Sequence, residues 1–238
     1  MFTRVIHFWQ VWVHSCWLVN RKFEFALSQA SQYVGGRLLD VGCGPRPYRK
    51  LYAESVGRHI GVDLTLPPGK GGEEAASRAM GPDVLTDAHH LPFHSESFDT
   101  VLCTHVLVRL KEPSQAIGEM SRVLREGGYL VLSARQMWHV YVAEDYFRFT
   151  EYGLRYLAEK NGLEVLEVLG VGGFFARLGV KLIYFLHSLN RRWLRFFTEV
   201  PLGILIVLIQ GLFYILDSIF PTPNDVVFNV LVARKGPQ

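Results

Sequence analysis

Between residues 37 and 169, apolar runs of strand length alternate with stretches whose apolar positions recur at helical spacing, the pattern of a parallel α/β sheet. The runs RLLDV (37–41), HIGVD (59–63), DVL (83–85), FDTVLC (98–103), GYLVLS (128–133) and LEVLEVL (163–169) predict strands, and VVFNVLVA (226–233) predicts one more near the end. Helices are expected between them. Pro113 suits the first turn of a helix ending near Arg125, ahead of Gly127 and Gly128, and Thr150 caps another that stops at Asn161 and Gly162. The glycine-rich stretch 67–82 predicts a loop around a short helix. Two regions escape the alternation. One is the aromatic segment up to residue 34, with Trp9, Trp12, Trp17, Phe23 and Phe25; the other is 170–223, which contains VPLGILIVLIQGLFYILDSIF (200–220).

Composition sharpens this picture. A chain of 238 residues with 49% hydrophobic and 20% charged residues can bury a sizeable core, which excludes a disordered, collagen-like or coiled-coil chain. The length suits one domain with additions. A net charge of +3 is too mild for the basic stripe that nucleic acid requires, so no nucleic-acid partner is expected. Cys16, Cys43 and Cys103 are far apart and form no CxxC pair, so neither a disulfide framework nor a zinc site is expected, and a reducing cytosol fits. His7, Gln10, His14 and Ser15 interrupt the first apolar stretch, which makes a poor signal peptide.

The strongest local signal is LLDVGCGPRPY (38–48), a strand running into a glycine turn, with a helix expected next. Gly42 and Gly44 let the backbone approach a ligand where a Cβ would collide, and a helix N-terminus there would offer free amide donors. Asp63 ends the second strand, nineteen positions after Gly44, where a carboxylate can accept from both hydroxyls of a ribose. An adenosine-containing cofactor follows. Pro45 and Pro47 break the turn that a dinucleotide fingerprint needs, and Asp40 would repel a pyrophosphate but suits a cationic ligand.

At these residues the sequence resembles the class I S-adenosylmethionine-dependent methyltransferases, in particular the small-molecule, type 11-like group that includes quinone and sterol methylating enzymes. The likeness runs from about residue 34 to 170 and includes the final strand. DVGCG looks like the family's first motif, with Asp40, Gly42 and Gly44 at the aminoacid end of the cofactor, and Asp63 looks like its ribose acid. DVLTDAHHLPFHSESFDTVLC resembles a block that puts Asp87 and Ala88 against the adenine edge, and Glu119, Arg122, Leu124 and Gly128 match the family's next helix and strand. The stretch 144–165 is similar to a subgroup linked with glycan and lipid-linked substrates. THVLVRL departs: His105, Val108 and Arg109 stand where the family commonly carries two acidic residues and a histidine, leaving backbone contacts from Thr104 and His105.

The resemblance implies a Rossmann-like, seven-stranded, mostly parallel sheet with a hydrophobic helical insertion before the last strand. With the two regions outside the alternation, the chain divides into an aromatic helical segment (1–34), a cofactor-binding domain (35–170 with 224–236) and the insertion (171–223). The implied cofactor is S-adenosyl-L-methionine, and the implied activity is methyl transfer to a small-molecule acceptor. A sulfonium methyl is already activated, so the protein must hold the acceptor in line and exclude water, and a base is needed only when the acceptor keeps its proton. His139, Asp145 and Tyr146 follow the fifth strand on the substrate side of such sheets, with His139 the candidate base. His139 equally suits a packed or surface histidine. Arg148, with Tyr146, would shape or charge the substrate pocket, or Arg148 would pair with Asp145 or Glu144. His89 and His90 are adjacent and point different ways, so no metal is expected; Cys43 and Cys103 read as small core residues.

The run 200–220 is long enough, at about 1.5 Å per residue, to cross a hydrocarbon core of about 30 Å. Topology opposes a single crossing, because the last strand must return to the sheet. A helix pair lying on or dipping into the cytoplasmic membrane face is expected, with Arg177, Lys181, Arg191, Arg192 and Arg195 near lipid phosphates and Trp193, Phe196 and Phe197 entering the acyl region. The acceptor would then be hydrophobic or lipid-linked. A cytoplasmic enzyme for a polar or sugar acceptor, with these helices as a soluble cap or dimer interface, and a non-catalytic cofactor-binding scaffold are the alternatives.

Overall fold

Strand β1 (Gly36–Val41) buries Leu38, Leu39 and Val41 completely or nearly so, and β4 (Phe98–Thr104) does the same with Phe98, Val101, Leu102 and Cys103. Strands apolar on both faces belong inside a sheet covered on both sides, which in practice means a parallel one. In this computed structural model, which describes residues 17–66, 81–140, 142–189 and 195–237, that sheet forms as expected. Its order is β3-β2-β1-β4-β5-β7-β6, with β2 at Val56–Asp63, β3 at Val84–Leu85, β5 at Leu124–Arg135, β6 at Leu163–Val171 and β7 at Phe228–Lys235. β1 lies parallel between β2 and β4, with Leu39 opposite Ile60 on one side and Val101 on the other; β4 and β5 are also parallel. The sheet is mixed because β7 runs the other way. Val227, just before β7, donates to Val171 at the end of β6 (2.8 Å) and accepts from Met137, just after β5 (3.2 Å).

The helices follow their sequence signals. α1 (Trp17–Ala30) precedes β1. α2 (Pro113–Val123) has Pro113 in its first turn and buries Ala116, Ile117, Met120 and Val123, one helical stripe. Its partner α3 (Glu151–Lys160) is capped by the Thr150 hydroxyl, which accepts from the Gly153 amide at 3.1 Å. One expected helix is missing. After the glycine turn the chain makes only a short 3-10 turn at Arg49–Leu51 before β2. Pro45 and Pro47 lack amide donors and push the residues before them away from helical geometry, and too few positions remain before Val56. The loop expected at 67–82 lies outside the described residues except for its end.

The chain forms two compact units. One comprises 26–136, 140–169 and 229–238 and holds the sheet. The other comprises the described parts of 1–25, 137–139 and 170–228, and contains α4 (Phe174–Leu189) and α5 (Arg195–Ile219). Within this helical unit Ile183 and Ile206 pack together with Leu186. A Cβ on Gly179 would stand 2.8 Å from Phe213, so glycine there lets α4 and α5 approach closely. Lys22 pairs with Asp217 at 2.5 Å, and Asp217 also accepts from the Ala176 amide at 3.2 Å, capping α4. Phe23 packs on Phe228, whereas Phe25 is exposed.

The faces of α5 are arranged in an unusual way. Its buried stripe carries Gly203, Ile206, Gln210 and Asp217, while Ile204, Leu208, Leu212, Ile215 and Ile219 form an exposed apolar stripe. Taken over the described residues, no helix is long and apolar enough to cross a membrane. Trp9, Trp12, Arg191, Arg192 and Trp193 lie outside the described residues, as do the side chains of Trp17, Arg195, Phe196 and Phe197.

Candidate functional site

The glycine turn sits where β1 ends, flanked by the ends of β2 and β4. Gly42 and Gly44 both take positive φ (68° and 48°), as a left-handed turn requires. Gly42 is closed in by Val106, whose Cγ2 stands 2.1 Å from where a Cβ would be, while a Cβ on Gly44 would meet nothing within 4 Å. The turn is thus packed on one side and open on the other. Its amides are directed inward: Gly42 and Cys43 donate to the Val62 carbonyl (2.8 and 3.1 Å), and Gly44 donates to Asp63 Oδ2 at 2.9 Å. No helix follows to present free amides, so the glycine cradle and the Asp63 carboxylate carry the ligand-binding character.

Asp63 ends β2, half-buried, and its other oxygen accepts from the Leu64 amide at 2.8 Å. These bonds fix its carboxylate and leave acceptor capacity for a diol. Asp40 behaves otherwise. It is 3% exposed, lies 3.3 Å from His59 Nε2 and is bonded to the Tyr52 hydroxyl, so its charge is spent inside the fold. Burial, then Asp40, pushes the Tyr52 hydroxyl up and raises the Cys43 thiol to about 11, so Cys43 stays a neutral core residue.

Asp87 and Ala88 lie beyond β3. Asp87 is exposed and accepts from the His89 amide (3.0 Å) and ring Nδ1 (2.5 Å); the amide bond is the main reason its carboxyl is held below the ordinary range. Ala88 is buried. Their loop is clamped from α2: Glu119 accepts from the Leu91 amide, and Arg122 donates to Glu119 and to the Leu91 and Phe93 carbonyls. Glu119 and Arg122 therefore hold the loop that presents Asp87. Among the described residues no group of acidic, histidine and cysteine side chains could hold a metal ion.

Thr104 and His105 close the site at the end of β4. His105 takes φ +60°, costly for a side chain with a Cβ, and its amide donates to Ser133 Oγ (3.1 Å) and the Ser133 carbonyl (3.2 Å). Ring Nδ1 is shut off from solvent; burial, and then the Arg135 charge, push the imidazole down to about 3, so it is neutral at ordinary pH. Arg135, at the end of β5, is absent from the expectations above because an arginine at a strand end has no distinctive pattern.

The structure brings the predicted substrate residues to this edge in part. The Tyr146 and Phe147 amides donate to the Val108 carbonyl (2.9 and 3.2 Å), and the Phe149 amide donates to the Arg135 carbonyl at 2.9 Å. The segment DYFRF is thereby laid across the ends of β4 and β5. Arg148 and Asp145 form a two-pronged ion pair, with Nη2 to Oδ2 at 2.7 Å and the Asp145 side chain fully buried, while Tyr146 is 44% exposed. His139 belongs to the helical unit. Its ring packs on Tyr184, centroids 3.7 Å apart, and against Trp138.

Residues 39–132, from the first glycine motif through β5, match the family model described as a methyltransferase domain. That match spans less than half of the chain, and over this stretch the chain is similar to methyltransferase domains. Over 104 residues it is 36% identical to an uncharacterized methyltransferase of Mycobacterium avium, covering 42% of this chain and 40% of that one. Over 129 residues it is 28% identical to the ubiquinone/menaquinone biosynthesis C-methyltransferase UbiE of Burkholderia mallei, covering 48% of this chain and 49% of that protein. The chain thus spans less than half the length of these curated relatives. The Haemonchus contortus phosphoethanolamine N-methyltransferase 2, solved with phosphomonomethylethanolamine and S-adenosylhomocysteine, shares the fold, with TM-score 0.53, 15% identity, and 92% of this chain and 53% of that one covered. The cofactor expected from the sequence is S-adenosyl-L-methionine. The residues present fit it: an open glycine cradle at Gly44, a fixed diol acceptor in Asp63, and a clamped loop carrying Asp87 and Ala88.

Proposed function

We propose that this protein transfers a methyl group from S-adenosyl-L-methionine to a hydrophobic or lipid-linked small molecule, working on the cytoplasmic face of a membrane. The cofactor, when bound, supplies a methyl already activated for transfer. The chain's own residues do the rest. Gly42 lets the turn pack on Val106 while Gly44 leaves its open side clear for the cofactor, Asp63 accepts from the ribose, and Asp87 with the Ala88 backbone meets the adenine edge. Thr104 and His105 line the methionine end, where a neutral His105 adds no charge to repel a sulfonium. Tyr146 stands exposed on the same edge and is the residue offered for meeting an acceptor; its amide bond to the Val108 carbonyl fixes its place there, and Asp145 holds the neighbouring Arg148. A general base is dispensable when the acceptor carries no proton to lose.

The observation that carries the membrane part is the inverted helix α5, with Gln210 and Asp217 inside and Ile204, Leu208, Leu212, Ile215 and Ile219 outside. Moving one such side chain out of water gains about 1.5–3 kcal/mol, whereas one lysine near an anionic surface gains about 1 kcal/mol. The stripe therefore outweighs Lys181, the exposed cation of α4. The return of the chain into β7 restricts the pair to the interface or to a shallow hairpin. The quinone-methylating relative agrees with an apolar acceptor. In a flotation test with vesicles of mixed neutral and anionic lipid, the protein is expected to rise with the vesicles and to stay bound in high salt; full release by dilute buffer would instead favour a cytoplasmic enzyme for a polar acceptor.

A further inference from the structure

The loop after the glycine turn has lost its helix, yet it is not loose. Gly42, Gly44 and Arg46 take positive φ in alternation, and Arg46, at 53°, is the member of this series with a side chain to clash. Arginine rarely adopts that conformation, and it persists only where the surroundings enforce it. Here the guanidinium is the enforcing group. Its side chain is 3% exposed, and Nη2 donates to the Gly81 carbonyl at 2.9 Å and to Asp83 Oδ2 at 2.6 Å. Asp83 Oδ2 also accepts from the Gly61 amide at 2.8 Å, and the Asp83 amide donates back to the Gly61 carbonyl at 2.7 Å. Burial opposes the charge on Asp83, but the Gly61 amide and Arg46 outweigh it and hold the carboxyl below its ordinary range. Gly61 completes the seat: a Cβ there would stand 2.7 Å from Nη2 and 2.8 Å from Nε.

We infer that Arg46 is the positioning residue of the cofactor loop. Its ion pair with Asp83, buried on the arginine side and open to water on the carboxylate side, ties the loop to β2 and so holds Gly44 against Asp63, the task a following helix performs where one exists. This rests on the cofactor reading above. Pro45 and Pro47 oppose a helix at this point, and the Arg46 side chain is folded under the loop.

Arg46→Gly tests the brace alone, because glycine accepts the left-handed backbone at no steric cost while deleting the guanidinium. Affinity for S-adenosylhomocysteine is read by calorimetry, and exposure of the loop is read without cofactor, by maleimide labelling of Cys43 located by mass spectrometry. Arg46→Gly is expected to weaken binding about tenfold and to make Cys43, buried in the native loop, open to labelling. Asp83→Ala should do the same, and the double variant should lose little more than either single one. Arg46→Lys, which keeps the charge but not the planar fork, should recover part of the affinity. If Arg46→Gly binds like wild type and Cys43 stays protected, or if the two losses simply add, the inference is overturned. If wild type binds no cofactor, the cofactor reading fails, and Cys43 labelling still decides the brace.

Discussion

The two units of this chain expose different things. In the sheet unit the strands put Leu38, Leu39, Val101, Leu130 and Leu132 inside, all at 0%, and leave charges such as Glu126, Glu159 and Lys160 in water. In the helical unit the Lys22–Asp217 pair and Gln210 lie toward the interior, and leucines and isoleucines of α5 face outward. The first arrangement lowers free energy in water. The second leaves water against apolar side chains while burying charges that need each other. Such a division follows if the two units meet different solvents, and it explains why one chain reads as an ordinary enzyme domain and also carries an apolar surplus.

That comparison can be broken from either side. The largest effect is expected in the sheet unit: Asp63→Ala removes both the diol acceptor and the carboxylate that fixes the Gly44 amide, and cofactor affinity measured by calorimetry should fall about a hundredfold. In the helical unit, Asp217→Ala leaves Lys22 without its carboxylate and uncaps α4, so unfolding should be easier by about 3 kcal/mol. Replacing both partners with leucine should restore most of that loss; equal damage from the double variant would mean the pair is not the cause. On the outward face of α5, Leu208→Asp should cut vesicle binding severalfold while the thermal midpoint moves little, since Leu208 is 64% exposed. A large drop in midpoint would show that the stripe is covered within the protein.

The smallest effect is one of pH. The folded pKa of His105, about 3, lies below the unfolded value of 6.5. Its contribution to stability is therefore complete above about pH 6.5 and is lost as pH falls toward 3, because the unfolded chain takes up a proton that the folded one refuses. Denaturant titrations should show stability dropping across that window, and His105→Asn should flatten the slope by about one proton.

The sheet was legible because its signals are local. Apolar runs bounded by glycine, Pro113 and Thr150 each act on their own neighbours, and all seven strands formed where such runs lie. Gly42, Gly44 and Asp63 were legible for the same reason, since a strand end, a tight turn and an acid at fixed spacing leave few other uses. The expected helix after the turn does not form, because Pro45 and Pro47, which argue against a dinucleotide turn, argue equally against a helix start. The fate of Asp40 was hidden because His59 and Tyr52 reach it only through tertiary packing. The Arg46–Asp83 ion pair, and the Arg135 charge felt by His105, join residues far apart in sequence with no periodic mark. The apolar run 200–220 was visible by length, but which of its residues would face inward depended on Lys22, nearly two hundred positions away.

The central claim is methyl transfer to an apolar acceptor at a membrane. Methyl-labelled S-adenosyl-L-methionine incubated with the protein and a total membrane extract tests it most directly, followed by partition between organic solvent and water. The account predicts label in the organic phase, lost in the Asp63→Ala variant. Label that enters only water-soluble products, or organic-phase label that survives Asp63→Ala, would contradict it.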